Sequence, residues 1–266
     1  MKETSPKQAT LARYRARQRL IGTSFDLGSP AVVEAAAAAP LDWCVLDWEH
    51  ALWNDVNLPS AIQVLAQSPM LCIVRVPCVP GPWIKKALDW GADGVLVPNI
   101  RNLAEARLCV EDAKYAPIGR RGVGPYRPSK FYTDVHSIVR SANENTLLWL
   151  MIEKASLVEE LEEVCRLPGV DGFVVGRNDL AQSTGRAYAD CSAETDALAE
   201  KAMAICVAAG KPVGCFSGDP AEVLRWAERG VNLLTVGDDA QFIRDGMALV
   251  AAQLSSAGVK AARKEY

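Results

Sequence analysis

Asp47, Glu49 and His50 fall within four residues, directly after the apolar run Cys44-Val45-Leu46. A buried strand has no use for such a cluster along its length. The three therefore belong at a strand end, where they make a corner able to move protons. His50 is one of only two histidines, and its ordinary pKa near neutrality suits a general acid–base; a structural histidine is the plainer alternative. Arg75 ends the apolar run Cys72-Ile73-Val74. A guanidinium there is costly unless an anion offsets its desolvation, and its fork matches a carboxylate or an enolate oxygen. An ion pair with Asp47 or Glu49 is the plainer alternative. Glu153 closes the run Leu147–Ile152, and Asp179 lies just past Gly172–Gly176. Two carboxylates on adjacent strands can face one point, and with positions left for water and substrate oxygens they suit Mg²⁺ or Mn²⁺. Otherwise Glu153 is a rim ion pair and Asp179 a helix cap. Schiff-base chemistry finds no candidate, because Lys154 directly follows Glu153 and so points the opposite way.

The elements that must hold these groups alternate along the chain. Eight apolar runs predict strands: Gly22–Phe25, Trp43–Leu46, Leu71–Val74, Gly94–Val97, Leu147–Ile152, Gly172–Val175, Pro212–Cys215 and Leu233–Val236. Most successive starts are 21 to 28 residues apart, one strand–helix unit each. Helix starts are marked by Ser29-Pro30 and Asp219-Pro220, and by the capping-box spacings Asn102/Glu105 and Ser156/Glu159. Gly91, Gly210 and Gly230 stand where helices should stop. Eight alternations, without a G-x-G-x-x-G after the first strand, predict a single (β/α)8 TIM barrel rather than a doubly wound dinucleotide fold. Its C-terminal mouth would gather Asp47, Glu49, His50, Arg75, Asn99, Glu153, Arg177, Asn178, Asp179, Ser217, Asp219, Asp238 and Asp239. The Gly/Pro/Arg-rich stretch from Tyr115 to Pro128 falls on the opposite face, as a structural loop or an arm reaching a neighbour.

Composition narrows the rest. The 266 residues are 50% hydrophobic and 23% charged, with a net charge of −3, which fits a globular protein. The 29 basic residues form no block suited to nucleic acid, and no apolar run approaches a membrane span. Eight cysteines without a Cys-x-x-Cys read as reduced, mostly buried thiols in a cytoplasmic protein. Residues 1–20 read as a short helical extension, although Arg13, Arg15, Arg17 and Arg19 also have transit-peptide character. The barrel is expected over 21–254 and a frayed tail over 255–266. The amphipathic stretch from Gln241 to Leu254 carries enough apolar residues to dock on something.

Taken together, Asp47-Trp48-Glu49-His50, Val74-Arg75-Val76-Pro77, Leu88-Asp89-Trp90-Gly91-Ala92, Leu96-Val97-Pro98, Arg121-Gly122-Val123-Gly124, Ile152-Glu153, Val170-Asp171-Gly172 and Gly176-Arg177-Asn178-Asp179-Leu180 form an ordered set. By that set the chain resembles the HpcH/HpaI aldolase/citrate lyase family from about Ile21 to Leu249, in particular its class II, metal-dependent pyruvate aldolases. The resemblance implies a divalent metal, Mg²⁺ or Mn²⁺ with Co²⁺ a further candidate, held by Glu153 and Asp179. It implies Arg75 against the pyruvate enolate, His50 as acid–base with Asp47 and Asp89 as its associated acids, and the backbone N–H groups of Asn178 and Asp179 for the pyruvate carboxylate. Asp89 falls near a helix C-terminus, at the bottom of its own barrel, so it could meet a histidine only across a subunit boundary. The family also implies a homo-oligomer, hexamer or trimer, with C-terminal helices swapped between subunits.

This chain departs from the family pattern at four places. Trp48 stands where glycine is common and is expected to narrow the mouth. Met151 replaces a glutamine, Arg177 replaces a proline and would offer a cation to an acidic substrate group, and Ser24 or Phe25 replaces a tryptophan. The expected activity is cleavage or formation of 4-hydroxy-2-oxo acids from a 2-oxo acid and an aldehyde. Decarboxylation of oxaloacetate on the same site, and non-catalytic 2-oxo acid binding, are the rival readings.

Overall fold

Each apolar run is too short and too rich in branched and aromatic side chains to be a helix, and each becomes a parallel strand. The structure is a computed structural model describing residues 5–185, 193–257 and 259. Its strands are β1 Leu20–Phe25, β2 Trp43–Asp47, β3 Leu71–Arg75, β4 Gly94–Val97, β5 Leu147–Ile152, β6 Gly172–Val175, β7 Val213–Ser217 and β8 Leu233–Asp238. They pair in sequence order and close, β8 onto β1. The helices are α1 Pro6–Arg15, α2 Pro30–Ala36, α3 Leu58–Leu65, α4 Trp83–Asp89, α5 Leu103–Ala113, α6 Val135–Asn145, α7 Ala155–Glu159, α8 Leu161–Cys165, α9 Arg177–Ser183, α10 Ala193–Ala208, α11 Pro220–Glu228 and α12 Asp239–Ser256. None of the described helices is long and apolar enough to cross a membrane.

The single (β/α)8 barrel expected from the alternation is what forms. Four strands end later than the apolar pattern suggested, β7 and β8 by two residues and β2 and β3 by one, the last two taking in Asp47 and Arg75. That matters for the site, because both side chains are then fixed by sheet pairing, opposite one another in the β2–β3 register.

Period-two alternation divides the core into two shells. Trp43, Val45, Leu71, Ile73, Leu96, Leu147, Trp149, Met151, Val174 and Leu233 fill the interior. The alternate residues, among them Cys44, Leu46, Cys72, Val74, Leu148, Leu150, Phe173 and Val175, pack outward in the larger apolar layer shared with the helices. Gly22 is needed where the Trp43 indole crosses β1, since a Cβ there would lie 2.1 Å from the ring. At the bottom, Leu11 and Tyr14 of α1 join the interior shell. The Tyr14 hydroxyl donates to the Asp171 carbonyl at 2.6 Å and accepts from the Trp149 indole N–H at 2.8 Å, so a buried phenol is satisfied on both sides.

Most helix signals act as their chemistry suggests. Ser29, Asn102 and Asp219 accept N–H bonds as N-caps, and Gly91, Gly210 and Gly230 all have positive φ. Ser156 does not cap: α7 begins one residue earlier, and the Ser156 hydroxyl instead donates to the Arg101 carbonyl at 2.7 Å. The loop after α5 lies against the bottom of its own barrel. Arg121 pairs there with Asp89 at 2.7 Å and stacks on the Tyr115 ring, while the Arg127 N–H donates to the Asp89 carbonyl. The expected tail, apart from the end of α12, lies almost wholly outside the described residues.

Candidate active site

Strand parity turns Asp47, Arg75 and Glu153 toward the mouth. Asp47 is buried, and its two oxygens take Arg75 in a fork, Nε to Oδ1 at 2.7 Å and Nη2 to Oδ2 at 2.5 Å. Oδ1 also accepts the backbone N–H groups of Glu49 and His50 at 3.0 and 3.3 Å, folding the chain into a tight turn. Burial alone would raise the Asp47 pKa; the Arg75 guanidinium and these two N–H groups outweigh it, and the net shift is downward. The carboxylate therefore stays ionised and fixes the guanidinium. Arg75 is ion-paired and also lines the cavity. Its remaining nitrogen, Nη1, faces the Met151 sulfur at 3.8 Å.

Glu49 lies 3.6 Å from Arg75 Nε and 3.8 Å from His50 Nε2. Burial is the main influence on it and pushes its pKa up to about 7, against the pull of Arg75 and His50. The His50 side chain is 66% exposed. Asp47 holds its backbone and does not touch its ring. Asp89 is on the other side of the barrel, engaged with Arg121, so within one chain it does not approach His50.

Glu153 is 2% exposed and accepts the backbone N–H of Asn99. Asn99 is a site residue that the sequence marked only by its place after β4. A positive φ of 59° aims its N–H at Glu153, and its side-chain amide donates to Glu49 at 3.0 Å. One strained residue thus ties together two carboxylates, a role found at functional sites. Burial raises the Glu153 pKa, opposed by the Asn99 N–H and reinforced by the Asp179 charge. Gly176 leaves room beside it: a Cβ there would come within 3.1 Å of Glu153 Oε2. Asp179 is exposed in the first turn of α9 and lines the cavity. Two like-charged carboxylates, one buried, form an oxygen set that a divalent cation neutralises well. Among the described residues no cluster of three His, Cys, Asp or Glu side chains is present, so water and substrate oxygens would complete the coordination.

Two of the expected substrate contacts are engaged by other side chains in this chain. Trp48 is not among the residues that line the cavity. With Asp47 facing in, the next side chain faces out, and Trp48 packs against Trp83 and Trp90 with centroids 5.1 and 5.4 Å away. Lys86 sits over the three rings. Arg177 lines the cavity, but its guanidinium is engaged by Glu222 at 2.8 Å and Asp196 at 2.6 Å and lies over Trp226. Both carboxylates occupy nitrogens that an acidic substrate would need. Asn178 and Asp179 lie in the first turn of α9, which has no side-chain cap, and both line the cavity.

The cavity has a volume of about 450 Å³, within the usual range for small ligands. Its far wall was foreseen only in part, at Ser217 and Asp238. Asp26, Phe216 and Thr235 line it beside Ser24 and Asp238. Burial raises the Asp26 pKa, with the Ser24 hydrogen bond opposing and Asp47, Asp238 and Asp239 adding to it.

A closed parallel barrel with an ion-paired arginine and two carboxylates gathered at its C-terminal mouth has the architecture of a barrel enzyme. Residues 25–245 match the family model described as HpcH/HpaI aldolase/citrate lyase, and the chain belongs to that family. A hydroxypyruvate/pyruvate aldolase of Cupriavidus necator is 32% identical over 95% of this chain and 93% of its own length. The 2-dehydro-3,6-dideoxy-6-sulfogluconate aldolase of Pseudomonas putida is 32% identical over 82% and 86%. The crystal structure of a family protein from Burkholderia cenocepacia J2315 superposes with a TM-score of 0.85 at 30% identity, covering 93% of this chain and 99% of that one. Aldolase or lyase chemistry on pyruvate-type oxo acids is the activity of this family, and the chain is an enzyme of that class.

Proposed function

We propose that the protein is a metal-dependent aldolase that makes or breaks 4-hydroxy-2-oxo acids through a pyruvate enolate. The observation that carries this reading is the Asp47–Arg75 fork, which leaves one guanidinium nitrogen facing a cavity that Asp179 also lines, with Glu153 buried close behind. A divalent cation held by Glu153 and Asp179 would polarise the 2-oxo group and make the C3 protons acidic. The N–H groups of Asn178 and Asp179 take the pyruvate carboxylate. Arg75 Nη1 donates to the enolate oxygen as charge develops there, with no reorganisation because Asp47 already holds the guanidinium. His50, exposed at the rim with the Glu49 carboxyl 3.8 Å from its Nε2, exchanges the aldol proton through a water.

The physiological setting that fits these features is cytoplasmic, with Mg²⁺ or Mn²⁺ as cofactor. The assembly is a homo-oligomer in which Asp89 of one subunit meets His50 of another. Pyruvate release from a panel of hydroxy-oxo acids, with oxaloacetate in parallel, tests the reaction. EDTA or Glu153→Ala should abolish release, and full activity in EDTA would sink the proposal.

A further inference from the structure

The half of the cavity away from Arg75 has no part in the reading above, and it is built differently. Ser24, Asp26, Phe216, Ser217, Thr235 and Asp238 come from the ends of β1, β7 and β8. Sheet register places Ser24 beside Asp238 and Phe216 beside Thr235. The Ser24 hydroxyl donates to Asp26 Oδ1 at 2.6 Å, and Asp238 Oδ1 accepts the Gln241 N–H at 2.8 Å. Each of these carboxylates keeps a second oxygen with no donor among the described residues. Thr235 is only 4% exposed, yet its Oγ1 has no hydrogen-bond partner. A buried hydroxyl left unpaired is uncommon in a folded protein, and a cavity-lining one is completed by ligand or water. The cation on this side, Arg177, is engaged by Asp196 and Glu222.

Such a wall repels a second carboxylate or a phosphate and accepts hydrogen bonds from hydroxyl groups. Phe216, 43% exposed, gives the carbon chain an apolar surface. We infer that this wall is the acceptor subsite and that it selects a neutral, hydroxylated aldehyde, with Asp26 and Thr235 as the specificity-determining residues. The inference rests on the aldolase reading above. The step it serves is aldol addition: C3 of pyruvate loses a proton, its electron pair bonds to the aldehyde carbon, and the aldehyde oxygen takes up a proton. No oxidant or reductant is required.

The test compares kcat/KM for glyceraldehyde, propanal and succinic semialdehyde with pyruvate and the metal-loaded enzyme. Glyceraldehyde should exceed each of the others by about tenfold or more, the worth of one or two matched hydrogen bonds. Thr235→Val should bring the glyceraldehyde-to-propanal ratio toward one, whereas Thr235→Ser should keep it. Asp26→Asn should raise succinic semialdehyde relative to glyceraldehyde. Deuterium uptake at pyruvate C3 without any aldehyde reports enolate formation separately. Absence of uptake overturns the aldolase reading and this inference with it. Uptake accompanied by equal use of the three aldehydes, or by preference for succinic semialdehyde, overturns the subsite alone. If Thr235→Val does not fold, the wild-type ratios and Asp26→Asn decide.

Discussion

Glu49 carries the clearest pH signature at the scale of single residues. Its ordinary value is 4.5, and burial lifts it to about 7. Between those values the folded protein holds a proton that the unfolded chain has released. The stabilisation from this group is thus complete below pH 4.5 and is lost as pH rises through about 7. Arg75, His50, Asp47, Glu153 and the Asn99 amide are the polar groups that face it. In metal-free protein, Glu49→Gln should flatten the fall of Tm across that window, as read by thermal denaturation at closely spaced pH. An unchanged Tm profile would show that the elevated value is not a property of Glu49. The same scale marks what the sequence made legible. The inward direction of Asp47, Arg75 and Glu153 follows from strand parity, which a sequence displays. The partners of Arg177 do not, because Asp196 and Glu222 are 19 and 45 residues away and meet it only through the packing of α10 and α11. Trp48 was legible in principle, since the parity that turns Asp47 inward turns its neighbour out.

Among the elements, the loop following α5 shows how a stretch rich in glycine and proline becomes rigid. Arg121 is buried with one nitrogen, Nε, unsatisfied, and its charge is matched by Asp89 at the end of α4. Burial raises the Asp89 pKa more than Arg121 and Lys85 lower it, so this pair fastens the loop under a desolvation load. Asp89→Asn leaves a buried guanidinium uncompensated and should cost about 3 kcal/mol, read from the urea midpoint. The double variant Asp89→Asn with Arg121→Met should recover part of that loss. A single variant as stable as wild type would mean that other contacts hold the loop. The eight strands and most helix starts could be read from alternation and caps, because those signals are local. This loop could not, because its anchoring residues lie 32 positions apart.

At the scale of the whole molecule, α12 stands out. Its first turn is fastened to the barrel by Asp239, whose carboxylate accepts the N–H groups of Asp26 and Leu27. Beyond that, Phe242, Ile243, Met247, Leu249, Val250 and Leu254 are all exposed. Apolar side chains at this density on one helix mark a surface made to be covered, in keeping with the proposed homo-oligomer. Met247→Glu with Val250→Glu should shift sedimentation from an oligomer toward single chains while the far-ultraviolet dichroism stays barrel-like. Sedimentation of the unaltered protein as a monomer would remove that proposal.

The plug formed by α1 has a consequence for the order in which the chain assembles. The carbonyl that receives the Tyr14 hydroxyl belongs to Asp171, 157 residues further along the chain. Until β6 exists, the helix has no floor to close, and its ten residues bury too little to persist alone. Its amides should therefore gain protection from exchange only after the strands of the second half are in place, a sequence that pulse labelling during refolding can follow. A helix that precedes all eight strands in the chain would be among the last elements to be fastened.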